Sequence, residues 1–104
     1  MPPHERFTMG AQVTRSALSV PCNIAEGWGR ESRKEKAQFL AIAQGSLDEL
    51  ATQLHLCGRL QWMPEAPLAE MRILHDEVGR MLTTLRRPLR NPRNVKPDRP
   101  PTSS

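Results

Sequence analysis

Leu40, Ala43, Leu47, Leu50, Leu54 and Cys57 recur at alternating steps of three and four residues. That spacing holds a line of apolar side chains on one face of an α-helix for more than two heptads. In a strand, where successive side chains alternate, the same residues would scatter over both faces. Phe39, Ile42, Ala51 and Leu60 widen the seam into the broad face of a bundle helix. Ser32 followed three residues later by Glu35 is a capping-box pattern, which places the helix start at Arg33. Gly58 begins the stop and Pro64 ends any continuation, giving an expected helix over 33–60, roughly 40 Å long. Gly45-Ser46 sits mid-helix. Glycine there costs about 1 kcal/mol relative to alanine, which points to the close approach of another helix.

Two further helices flank this one. Val13, Ala17, Val20, Ile24 and Trp28 share a face over about 7–28, with Pro21 inside the pattern. A proline there removes a backbone bond and crowds the carbonyl of Ala17, so the helix is expected to kink or restart, with Ser19 satisfying a freed group locally. Gly27 and Gly29 then supply left-handed geometry to end it. Met71, Leu74, Val78, Met81 and Leu85 repeat the three-and-four stepping over about 67–87, with Pro67 in the first turn and Pro88 closing the helix. Glu65 and Glu70 near its start, and Arg86 and Arg87 near its end, suit the helix dipole. Short connections between long helices imply antiparallel neighbours, so the fold class is an all-α up-and-down bundle.

Charge divides the chain at the same point. Fifteen Lys and Arg stand against eleven Asp and Glu, yet residues 86–104 hold six of the basic residues and only Asp98 of the acidic ones. Residues 1–87 form the expected domain, and 88–104 a disordered, basic, Pro-rich tail that either contacts phosphate backbones or remains a solvated terminus. Aromatic residues make up 4% of the chain, so the core must be aliphatic. A core of that size is marginal alone, and subunit contacts would cover what three helices leave exposed, with Phe39, Ile42 and Trp62 as candidates. No apolar run reaches the roughly 18 residues a membrane span needs, and no charged-then-apolar leader is present, so a cytoplasmic location is expected. Cys22 and Cys57 read as separate buried thiols.

Catalytic and metal chemistry find little support. His4, His55 and His75 are scattered, and His55 and Cys57 lie on different helix faces. Gly27-Trp28-Gly29 lacks the strand before it and the Lys-Ser/Thr after it that a phosphate loop requires. Trp28 and Trp62 read as helix-end packing rather than stacking platforms. No cofactor, metal or small-molecule substrate is expected. Positive charge is the one binding signal: Arg30, Arg33, Lys34 and Lys36 cluster where the first two helices meet, and Arg86, Arg87, Arg90 and Arg93 follow the third. Contact with RNA or DNA through these groups would be sequence-tolerant and strongly salt-dependent.

The run Ser19-Val20-Pro21, Asn23-Ile24-Ala25-Glu26-Gly27, Gly29-Arg30, Ser32, Lys34-Glu35, Phe39-Leu40, Ile42-Ala43, Gly45-Ser46-Leu47, Glu49-Leu50 and Thr52-Gln53-Leu54 resembles the four-helix bundle proteins of the 23S ribosomal RNA intervening-sequence family. The resemblance covers about residues 5–85. It implies an up-and-down bundle that assembles as a homopentamer and has no established enzymatic activity. Pro21, Asn23, Glu26, Gly27, Gly29, Arg30, Gly45, Ser46, Glu49 and Gln53 are then structural motif positions, with Asn23, Glu26 and Gln53 pairing across helices. Members of the family usually begin with one more amphipathic helix. The resemblance implies that it is missing here, through a misassigned start or a truncated gene, and that the apolar faces it covered are exposed. The function expected from this reading is a non-enzymatic oligomeric scaffold or adaptor with non-specific nucleic-acid contact. The alternative is a nucleic-acid-binding accessory protein of a retroelement reverse transcriptase, to which a related branch of the family belongs.

Overall fold

A computed structural model describes residues 3–90, with side chains from residue 8 to residue 89. Among these residues there are three helices and no strands: α1 (Pro3–Trp28), α2 (Arg33–Arg59) and α3 (Glu65–Arg90). The helices run up, down and up. The tail beyond Arg90, with Arg93, lies outside the described residues. No described helix is long and apolar enough to cross a membrane.

α2 is the central rod. Ser32 caps it, its Oγ accepting the backbone N–H of Glu35 at 3.2 Å. All six residues of its seam are buried. Those from Leu50 onward join Val13 and Leu68 in one core cluster, and Leu40, Ala43 and Leu47 join Val20 and Leu82 in another. The far end of α2 is closed by backbone alone. Trp62 N–H reaches the Cys57 carbonyl at 2.9 Å and Gln61 N–H the Gly58 carbonyl at 3.3 Å, with Gln61 in the left-handed region (φ 55°). That pair of bonds is a Schellman close, and Trp62 completes it by packing onto the core.

Several local expectations are corrected. α1 runs unbroken through Pro21. Ser19 does not serve the backbone there: its hydroxyl meets Ser46 Oγ of α2 at 2.7 Å, tying the two helices together. The proline loss is tolerated because Val20 and Ile24 on either side pack into the core. No described glycine has positive φ, so Gly27 and Gly29 do not end α1 by left-handed geometry. Gly27 is needed for space instead, since a Cβ there would stand 2.7 Å from Phe39 Cβ. Gly58 is likewise helical, and α3 packs on it: a Cβ would meet Arg72 at 3.0 Å and Leu68 at 3.1 Å. α3 starts two residues before Pro67, with the Pro64 carbonyl accepting Leu68 N–H. It also continues through Pro88 to Arg90. In a last turn a proline forfeits one bond, and Leu89 packing on the second cluster offsets that loss. Cys22 is exposed, whereas Cys57 is buried and burial pushes its thiol pKa up.

Gly45 departs furthest from expectation. A Cβ at this position would meet nothing within 4 Å, so no helix approaches it. The backbone penalty of glycine is therefore uncompensated. Gly45→Ala is expected to stabilise the fold by about 1 kcal/mol, read as a higher midpoint in urea unfolding.

Candidate functional site

α1 and α3 both pack on α2 while their own backbones stay apart: among the described residues, no Cα of one comes within 8 Å of a Cα of the other. The space between them is an open groove of about 290 Å³ with Leu47 and Leu50 of α2 as its floor. Ala17, Pro21 and Ile24 line one wall, and Met71, Leu74 and Val78 the other. Four residues of the α3 seam read from the sequence, Met71, Leu74, Val78 and Met81, line this wall, while Leu85 packs on the Leu40 cluster. Of the seam's five residues none is buried, and Leu74 (56% exposed) and Met81 (48%) are open to solvent. α3 instead meets α2 through Leu68 and Leu82, one step round the helix, and only those two of its hydrophobic residues are buried. The apolar stripe on α3 is thus wider than its one neighbour uses. Ile42 is exposed as expected, while Phe39 and Trp62 are only half-buried.

The antiparallel course also gathers charge. α3 ends beside the start of α2, as Leu85 and Leu89 packing on the Leu40 cluster and Arg86 Nη1 donating to Gln44 Oε1 at 3.5 Å show. The two basic clusters, separate in sequence, therefore share one end of the bundle. Their members differ in availability. Arg30 is held at the corner: it pairs with Glu26 at 2.6 Å and lies over the Phe39 ring, 4.9 Å from its centroid. Lys36 sits over Trp28, with its ammonium 5.3 Å from the ring centroid. Arg33 is half-buried, and its Nε is buried without a partner. Lys34 and Arg87 are exposed. Arg90 is placed by its backbone only.

The motif positions mostly pair within their own helix. Asn23 Nδ2 donates to the Ser19 carbonyl at 2.8 Å and to Ser19 Oγ at 3.0 Å, and Glu26 pairs with Arg30 one turn on. Gln53 faces the interior with its Oε1 unpartnered. Glu49 does reach across, accepting a bond from Ser16 Oγ at 3.3 Å. One tether has no sequence signal at all. His75 Nε2 lies 2.9 Å from the Leu47 carbonyl, and a carbonyl only accepts, so this nitrogen carries the proton. A lone histidine on a polar stretch of helix gives no hint of such a partner. No three His, Cys, Asp or Glu side chains come together among the described residues in a way that could hold a metal.

A family model described as 23S rRNA-intervening sequence protein matches residues 1–84. The chain belongs to that family. No curated protein matches it. The span matched to the 23S rRNA-intervening sequence family takes in the whole of α1 and α2 and most of α3.

Proposed function

We propose that this intervening-sequence protein is a non-enzymatic scaffold that assembles with copies of itself through the groove between α1 and α3. The observation that carries the reading is the α3 stripe turned into that groove. Burying a Leu or Met side chain is worth roughly 1.5–3 kcal/mol, so several left in water favour a covering surface. The family resemblance implies that the cover is further subunits. The polar groups that the fold brings together, such as Ser19 with Ser46 and His75 with Leu47, act as tethers between helices and are assigned no chemistry. Two unpaired cysteines suit a reducing compartment, and we place the protein in the cytoplasm.

Light scattering of the purified chain tests this. The wild type is expected to be oligomeric at micromolar concentration, and the double variant Leu74→Glu, Met81→Glu to be monomeric with its helicity retained. A monomeric wild type would remove the reading.

A second reading, a nucleic-acid accessory, is favoured by the meeting of the two basic clusters at one end. Such binding weakens with salt, because each phosphate contact releases counterions. A gel-shift titration that shows no shift at low salt would count against it.

A further inference from the structure

We propose that the basic end takes single-stranded nucleic acid, with one base stacked on Trp28. The inference rests on the nucleic-acid reading and names the strand form it prefers. Trp28 closes α1 and remains 51% exposed, whereas the other tryptophan, Trp62, packs on the core at the opposite end of the bundle. A large aromatic ring left open on a small, aliphatic domain is unusual, and among the described residues a cation is its one recorded ring contact. Lys36 already lies over the ring, at 5.3 Å from its centroid. Lys34 and Arg87 stand exposed at the same end.

The surroundings keep the ring presented. Gly27 and Gly29 flank it and carry no side chains to cover it. Gly27 is buried against Phe39, so the base of the ring is anchored to α2. Arg30, fastened to Glu26 and lying over Phe39, holds the corner without supplying a free charge. An aromatic face amid cations accepts any base by stacking while the cations take the backbone. In a duplex the bases are already stacked and paired, so a duplex gains only the phosphate contacts. The site therefore discriminates by strand form and not by sequence.

The full chain is titrated at low salt with a labelled oligothymidine and with a duplex of equal length, following anisotropy. Intrinsic fluorescence is followed in parallel in Trp62→Phe, where Trp28 is the only emitter. The single strand is expected to bind more tightly and to quench Trp28, and the duplex to leave the emission unchanged. Trp28→Leu is expected to weaken single-strand binding by roughly 5- to 150-fold and leave duplex binding within about twofold, with Trp28→Phe recovering part of the loss. Equal binding of both forms with unchanged Trp28 emission would overturn the proposal while leaving the nucleic-acid reading standing. Absence of binding to either form would overturn both. Should Trp28→Leu fail to fold, the emission titration in Trp62→Phe decides alone.

Discussion

Leu82→Ala is expected to lower stability by about 2–5 kcal/mol. Leu82 is fully buried, and with Leu68 it is one of only two buried hydrophobic side chains that α3 contributes. It fills the space among Val20, Leu40, Ala43 and Leu47. The surrounding side chains come from α1 and α2, whose own packing holds them in place, so they can collapse only partly onto the vacancy. Small domains are stable by only about 5–15 kcal/mol in total, so this one truncation removes a large fraction. Urea unfolding followed by circular dichroism should show a much lower midpoint, with the end of α3 loosening first. Leu74→Ala is the control: the side chain is mostly in water already, and its loss is expected to cost under about 1 kcal/mol in the isolated subunit. Equal costs at the two positions would mean that α3 is rotated from the orientation described here.

Reversing charge at the basic end is expected to have the largest effect on binding. Arg33→Glu, Lys34→Glu and Arg87→Glu together should lower affinity for a nucleic-acid strand on the order of 100-fold at about 0.1 M salt, and flatten the log–log salt slope by about 2–3. Arg59→Glu with Arg72→Glu, at the opposite end, should change the affinity far less. These two arginines line an open pocket at the α2–α3 turn together with His55 and Glu65. A uniform loss from both sets would show that net charge, and not the gathering of two clusters, controls binding.

The residues of α2 were legible because everything about that helix agrees. It has a serine cap, an unbroken seam and neighbours on both sides to bury it. α3 was legible as a helix but not in its facing. A stripe of Met71, Leu74, Val78, Met81 and Leu85 says that apolar surface must be covered, but not by which partner. Within the chain, Leu68 and Leu82 are the α3 residues buried, and Met71, Val78 and Leu85 of the stripe pack only partly on the core. The prolines misled for a related reason. Pro21 and Pro88 read locally as breaks, yet side chains beyond each of them, Ile24 and Leu89, are held by the core. Glycines carry even less local information. Gly45, Gly58 and Gly27 look alike in sequence, and only the neighbouring helix decides whether one is crowded or idle. The basic residues could be picked out singly, and antiparallel topology, also legible, brings their clusters together. How they differ in availability could not be read, because Arg30 is tied to Glu26 and Phe39 and Lys36 rests on Trp28.

The contact between Gly27 and Phe39 has a mechanical consequence. It lies at the bend where the first rod doubles back, near the fulcrum of two long arms. A single methyl inserted there acts as a wedge, and a small separation at the fulcrum becomes a large splay at the distant tips. Variation at position 27 should therefore be felt most at the turn between the second and third rods, at the far end of a helix of 27 residues.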